Sequence, residues 1–224
     1  MKTKLLGLAL CGLFATASQA GEVGVYVNGG TTGFGLGLSG KISESLGGRL
    51  GFDTFSKTIS KNDNNGNYNG DLKLQTISLL GDWYPFEGAF RATLGLVANG
   101  NKATLTAVPN ASGQFTFKGQ QFSSSYVGSY SGELKFNSTA PYLGIGWGNP
   151  VAKAKTWGFV SDIGVLFQGS PKVTSSVTCT TAAVTDGVCS TMQTAVADAT
   201  TQQENDWKNY KYWPVISIGV SYHF

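Results

Sequence analysis

The sequence predicts an all-β fold: an eight-stranded antiparallel transmembrane β-barrel with three tight periplasmic turns at one end and longer extracellular loops at the other. Three observations predict it. Charged residues are only 13% of the 224 positions, while aromatics reach 12% and glycine fills 31; a soluble domain carries roughly one-quarter charge. Mean hydropathy is nevertheless near zero, and beyond the N-terminus no apolar run approaches the roughly 20 residues of a membrane helix. A closed barrel satisfies both facts, because its strands need only alternate apolar and polar residues while every backbone amide is paired. Finally, Ile216, Ile218, Val220, Tyr222 and Phe224 alternate with Ser217, Gly219, Ser221 and His223 up to the last residue, the two-residue period of a strand with one face in lipid.

Residues 1–20 have the form of an export signal. Lys2 and Lys4 give a basic start, Leu5 to Ala17 an apolar stretch, and Ser18, Gln19 and Ala20 a cleavage site. Residues 21–224 are expected to form a single barrel domain. The bulky Leu10 precedes Cys11 and the apolar run continues past it, so no lipid anchor is expected. Loss of Lys2 and Lys4 reduces 16 basic residues to 14, against 13 acidic ones; a nearly neutral chain has no electrostatic case for nucleic acid. Two cysteines remain, Cys179 and Cys189, and in an oxidising compartment they are expected to form a disulfide. With His223 as the sole histidine, the ligands for a metal site are too few, and no cofactor is expected.

The strands follow in order. Glu22 to Val27 is the first, and Asn28, Gly29 and Gly30 turn the chain back as Gly33 to Ile42. A tight turn at Ser43 to Ser45 leads into Leu46 to Phe55. The tract from Lys57 to Gly70, rich in Asn, Asp and Gly, is expected to be a solvent loop. Leu72 to Tyr84, a tight turn at Pro85 to Gly88, and Phe90 to Leu105 come next, followed by a loop of about 25 residues. Leu134 to Trp147, a third short turn at Asn149 to Lys155, and Trp157 to Val173 precede a long loop from Thr174 to Asp206 that holds both cysteines. Tyr210 to Phe224 closes the barrel. Long connections thus alternate with short ones, the asymmetry expected between the outer surface and the periplasm.

Aromatic residues gather at the tight-turn end. Trp83, Tyr84, Phe86 and Phe90 flank one turn, Trp147 and Trp157 another, and Tyr222 and Phe224 complete the girdle. An aromatic terminus after strict alternation, here Tyr222 and Phe224, resembles the signal by which the outer-membrane assembly machinery recognises its clients.

The same alternation assigns the interior. If Phe34, Leu36 and Leu38 face lipid, then Gly33, Gly35 and Gly37 face inward, as do Gly144 and Gly146 beside the outward Leu143 and Ile145. These glycines are expected to make room for bulky inward partners; a dinucleotide loop would need a following helix, and none is signalled. Arg49, Asp53, Asp82, Arg91 and Asp162 turn inward, with Tyr142, Gln168, Ser217 and Ser221 as polar neighbours. Such charges either pair and plug the lumen, since an unpaired buried charge is strongly destabilising, or line a pore that selects small ions and solutes. The narrow interior of an eight-stranded barrel favours the plug, and three acids against two bases bias any permeation toward cations. The phase of the alternation changes between Leu74 and Ile77 and between Phe136 and Leu143, where a bulge is expected.

Thr31 to Leu38, Ala140 to Trp147, Trp157 to Asp162, Gly169 to Val173 and the Tyr-rich approach to Trp213, Pro214 and Val215 together resemble the CarO-like small outer-membrane barrels, across nearly all of residues 21–224. The resemblance implies an eight-stranded barrel of the ornithine-uptake porin type, with small basic amino acids as solutes and with inward acids at Asp82 and Asp162. The loops around Cys179 and Cys189 do not follow the family pattern. The expected function is therefore a narrow uptake channel in the bacterial outer membrane, monomeric, in contact with the bilayer and its lipopolysaccharide. The alternative is a closed barrel acting through its extracellular loops. Enzymatic activity is not expected, because His223 falls at the periplasmic end with no nucleophile and acid assembled around it.

Overall fold

The structure, a computed structural model, describes residues 23–62, 66–109, 113–148 and 157–224. The export signal and the third tight turn lie outside the described residues. Thirteen strands are described: β1 Val23–Gly30, β2 Gly33–Ser43, β3 Leu46–Asn62, β4 Gly66–Trp83, β5 Phe90–Asn99, β6 Lys102–Pro109, β7 Gln114–Phe117, β8 Gln120–Ser123, β9 Val127–Lys135, β10 Thr139–Trp147, β11 Trp157–Phe167, β12 Lys172–Cys179 and β13 Tyr212–His223. Eight of them close antiparallel into a barrel in the order β1, β2, β3, β4, β5, β10, β11, β13 and back to β1. These eight correspond one for one to the predicted strands, except that Asn28, Gly29 and Gly30, expected as the first turn, extend β1, and the chain reverses at Thr31 and Thr32. Closure leaves no open edge around the wall, which is what lets every backbone group pair within the sheet.

The wall does not stop where the barrel does. Asn99 pairs opposite Thr76 and Lys102 opposite Lys73, so β6 continues β5 along the same partner strand. Between them Gly100 N–H donates to Gln75 O at 2.8 Å and Asn101 Oδ1 accepts from Gln75 N–H at 2.9 Å. β9 likewise leads into β10, and the strands β3, β4, β6, β9 and β12 form a sheet that rises past the end of the barrel remote from the chain termini. The expected bulge at Leu74 is absent, since β3 and β4 pair without a register shift; Leu74 simply faces the interior while Ile77 is half-exposed on the outer face. Phe136 falls in the break between β9 and β10, which accounts for its change of phase.

Three expected loops are corrected by this sheet. Lys57 to Gly70 is not a solvent loop: β3 and β4 pair residue by residue up to Asn62 opposite Asn67. Its residues are polar because this part of the hairpin is wetted; the ladder holds regardless of side-chain polarity, since β4 here pairs with β3 on one side and β6 on the other. The middle loop contains the hairpin β7–β8, a 3-10 turn at Ser124–Tyr126 and most of β9. The last long loop contains β12, a short helix at Thr181–Thr185 and a long helix at Val188–Trp207.

These segments fold because they share a second hydrophobic core outside the barrel. Phe115, Phe117 and Phe122 of the hairpin, Ala107, Val127 and Val177 of the sheet, and Met192, Ala195 and Val196 of the long helix pack together. The helix buries only this short stripe, at the three- and four-residue spacing of one helix face, and most of the rest of it is polar or Ala. The Cys179–Cys189 disulfide forms as expected and ties the end of β12 to the first turn of the helix, with Cα atoms 5.8 Å apart. Its ring is short and lies wholly in this outer lobe, so its stabilisation is about 2–3 kcal/mol and local. Reduction, or Cys179→Ser with Cys189→Ser, is therefore expected to leave heat-modifiable gel mobility intact while increasing protease cleavage within residues 180–207; loss of heat modifiability on reduction would contradict this.

Candidate functional site

Inward and outward faces separate as the alternation requires. Phe34, Leu36, Leu79, Leu94, Leu96, Leu143 and Ile163 form an exposed apolar band around the barrel. At the end carrying the termini, Trp83, Phe86, Trp147, Trp157 and Phe224 are exposed, and neighbouring rings touch: Phe90 with Trp147 at 5.7 Å, Trp157 with Tyr222 at 5.1 Å and Tyr222 with Phe224 at 5.3 Å. Tyr84 departs from the predicted girdle. It is buried, because it continues the inward parity of Leu80 and Asp82 and lays its ring beside Gly47.

Inside, glycines act as seats. A Cβ at Gly37 or Gly51 would strike the Tyr26 side chain, one at Gly144 or Gly164 the Tyr142 ring, and one at Gly146 the Arg91 guanidinium. Small residues on the narrow inner wall thus receive the large side chains that fill it.

Four of the five predicted lumen charges meet in one cluster. Arg49 spans two carboxylates: its Nε and Nη2 donate to Asp82 Oδ2 and Oδ1 at 2.6 and 3.0 Å, and its Nη1 and Nη2 to Asp162 Oδ2 and Oδ1 at 3.0 and 2.9 Å. Both pairs are bidentate, the geometry that a planar guanidinium and a carboxylate share. Arg91 completes the ring, donating from Nη2 to Asp162 Oδ1 at 2.8 Å and lying 3.6 Å through Nε from Asp82 Oδ1. Its remaining donors reach the backbone oxygens of Gly148 and Ser161, and Thr93 Oγ1–H donates to Asp82 at 2.6 Å. The cluster holds two positive and two negative side chains, all of them buried. Paired in this way, the four side chains form one neutral ionic cluster in the lumen.

Asp53 stands apart. Its carboxylate accepts from Asn28 Nδ2 at 3.0 Å and from the hydroxyls of Thr32 and Thr76 at 3.4 Å, and among the described residues no Lys or Arg forms an ion pair with it. It lines a cavity of about 60 Å³ whose floor includes Arg49 and Asp162 and whose walls carry Tyr26, Thr76, Ser78, Tyr142 and Ser217. That volume admits a few waters and is far below the roughly 300–1,000 Å³ of small-molecule sites. Among the participants not singled out in the sequence as interior residues are Tyr26, whose ring lies 5.9 Å from the Arg49 guanidinium, Asn28, Thr32, Thr76 and Thr93. Alternation in β1, where Tyr26 and Asn28 interleave with Val25 and Val27, carried the signal for the first two.

No protein-family profile matches this chain, and no curated protein matches it. Solved structures do. CarO2 of Acinetobacter baumannii is 23% identical with a TM-score of 0.56, and CarO of the same organism is 24% identical with a TM-score of 0.55. Each comparison covers 91% of this chain and 98% of the other. The chain folds as a CarO-like barrel.

The cluster sets a contrast in stability. Asp162→Asn removes the carboxylate between two buried guanidinium groups and is expected to destabilise the folded barrel by about 3–5 kcal/mol. Asp53→Asn, which keeps a hydrogen-bonding side chain where no cation depends on it, is expected to cost about 1 kcal/mol or less. Urea unfolding in lipid vesicles measures both, and equal shifts of the midpoint would refute the assignment.

Proposed function

We propose that this protein is an outer-membrane barrel that admits small cationic solutes, basic amino acids among them, through a lumen closed at rest. In this reading residues 1–20 export the chain, the Tyr222 and Phe224 end engages the assembly machinery, the aromatic end lies in the periplasm, and the role is transport and not catalysis. The observation that carries it is Asp53: four lumen charges neutralise one another, while the fifth, an acid that pairs with no cation among the described residues, lines the cavity on the outer side of the cluster. A cationic group entering from outside meets Asp53 first and Asp162 next. For it to pass, Arg49 must release its carboxylates, so flux is low and the resting barrel has no steady conductance. The charges balance when Asp53 is included: with the ammonium bound, the three acids Asp53, Asp82 and Asp162 face three cations, Arg49, Arg91 and the solute, so a displaced Arg49 still has a carboxylate to pair with.

Proteoliposomes containing the refolded protein are expected to take up a small basic amino acid several-fold faster than an acidic one of equal length. Asp53→Asn is expected to remove the preference without unfolding the barrel. Equal rates for both solutes with the wild type would overturn the proposal.

The outer lobe favours a second reading. A β-hairpin and a 20-residue helix held by their own core exceed what a transport barrel needs for its loops, and present a rigid surface to the exterior. Replacement of residues 181–207 by a short linker separates the two readings: uptake retained with surface attachment lost supports the lobe as the functional part.

A further inference from the structure

One row of side chains on the outer sheet is not used by either reading. Lys73 of β4 pairs directly opposite Lys102 of β6, Lys102 opposite Lys135 of β9, and Lys135 opposite Lys172 of β12. Residues paired directly across an antiparallel ladder point to the same face, so four ammonium groups lie side by side across three strand spacings, about 14 Å. The face is the outward one: on β4, Lys73 shares the parity of Ile77, Leu79 and Trp83, which are exposed, and is opposed to Leu74, which is buried.

Directly opposed like charges destabilise a sheet, and the compensation within the protein is partial. Glu133 lies 2.5 Å from Lys135 and 3.8 Å from Lys102. Asp71, the other acid on this part of the face, is hydrogen-bonded to Thr58. Four cations therefore face two carboxylates, and for Lys73 and Lys172 no ion pair is formed among the described residues.

The height of the row identifies what it meets. Lys73 is ten residues along β4 from Trp83 of the aromatic girdle, and a tilted transmembrane strand spans about 9–11 residues. Below the row, the outward residues lead into the apolar band; above it they are mainly polar, Asp71, Thr104, Thr106, Ser131, Glu133, Thr174 and Ser176, with Val108 the apolar exception. The lysines thus sit where the apolar band ends on the side remote from the termini. On the outer-membrane reading, on which this inference rests, that is the headgroup level of the outer leaflet.

We propose that Lys73, Lys102, Lys135 and Lys172 form a docking row for the phosphate groups of the outer-leaflet glycolipid, whose acyl chains lie against the apolar band beneath. Phosphate anions complete the charge balance that Glu133 leaves unfinished, and they do so at a depth where water is scarce enough for the attraction to persist at physiological salt.

The test uses the folded protein purified in a neutral detergent, with bisphosphorylated lipid A and its dephosphorylated counterpart as probes and native mass spectrometry as readout. The wild type is expected to retain the bisphosphorylated form at least tenfold better than the dephosphorylated one. The variant carrying Lys73→Gln, Lys102→Gln, Lys135→Gln and Lys172→Gln is expected to lose that difference while keeping heat-modifiable mobility. Equal retention of both lipids by the wild type, or unchanged retention by the variant, would overturn the proposal. Displacement of the lipid by millimolar inorganic phosphate would also overturn it, since the site would then be one for free phosphate. Failure here is distinguishable from failure of the barrel reading, which heat modifiability reports, and from failure of the transport reading, because the Asp53-dependent uptake preference does not involve these lysines.

Discussion

Arg49 lies between Asp82 and Asp162, and the rest of the interior is shaped by the need to keep those charges together and away from solvent. Four ionised side chains in a narrow lumen persist only when each finds a counter-charge and its remaining hydrogen-bonding capacity is used. Arg49 places its fork on both carboxylates, Thr93 donates a second hydrogen bond to Oδ1 of Asp82, and Arg91 turns other donors to backbone oxygens of β11 and of Gly148. The glycines follow from the same demand. Arg91 reaches Asp162 only because Gly146 has no side chain in its path, and Tyr26 lies against Arg49 only because Gly37 and Gly51 leave a hollow for its ring. A glycine-rich inner wall is thus the complement of a charged and aromatic filling.

The neutrality of that cluster makes Asp53 distinctive. Four residues beyond Arg49 on β3 it faces the same lumen, yet an amide and two hydroxyls are its partners in place of a cation. The interior therefore has two parts with different chemistry: a neutral ionic cluster, and above it a small cavity lined by Asp53.

Beyond the barrel, one side of the wall continues upward as a five-stranded sheet with its own core. A strand that leaves the membrane keeps its ladder partners as long as the neighbouring strands leave with it, and Thr76 with Asn99 and Lys73 with Lys102 show one such ladder continuing. The long helix then covers the face of this sheet that continues the barrel's inner face, and the disulfide fixes the helix to the strand beneath it. The opposite face is left to carry the lysine row.

Much of this was legible in the sequence, for a specific reason. In a barrel with one strand face in lipid and the other in a packed lumen, a period of two decides the direction of every side chain. Alternation therefore located all eight barrel strands, turned Arg49, Asp53, Asp82, Arg91 and Asp162 inward, and identified the glycines as space-makers. It could not place Tyr84, which lies past the end of its strand yet keeps the inward direction. Outside the bilayer that constraint is gone. Lys57 to Gly70 is polar on both faces and still forms strands, and the Val188–Trp207 helix buries only a short stripe of Met192, Ala195 and Val196, too little for periodicity to reveal. What the sequence determined by itself was the barrel and the parity of its side chains, because lipid on one side and a close-packed lumen on the other act on every residue locally. Only the tertiary structure decided that four charges close into one neutral cluster while the fifth does not, and that four lysines distant in the chain stand in a row. Both depend on register between strands far apart in sequence, and no single strand encodes it.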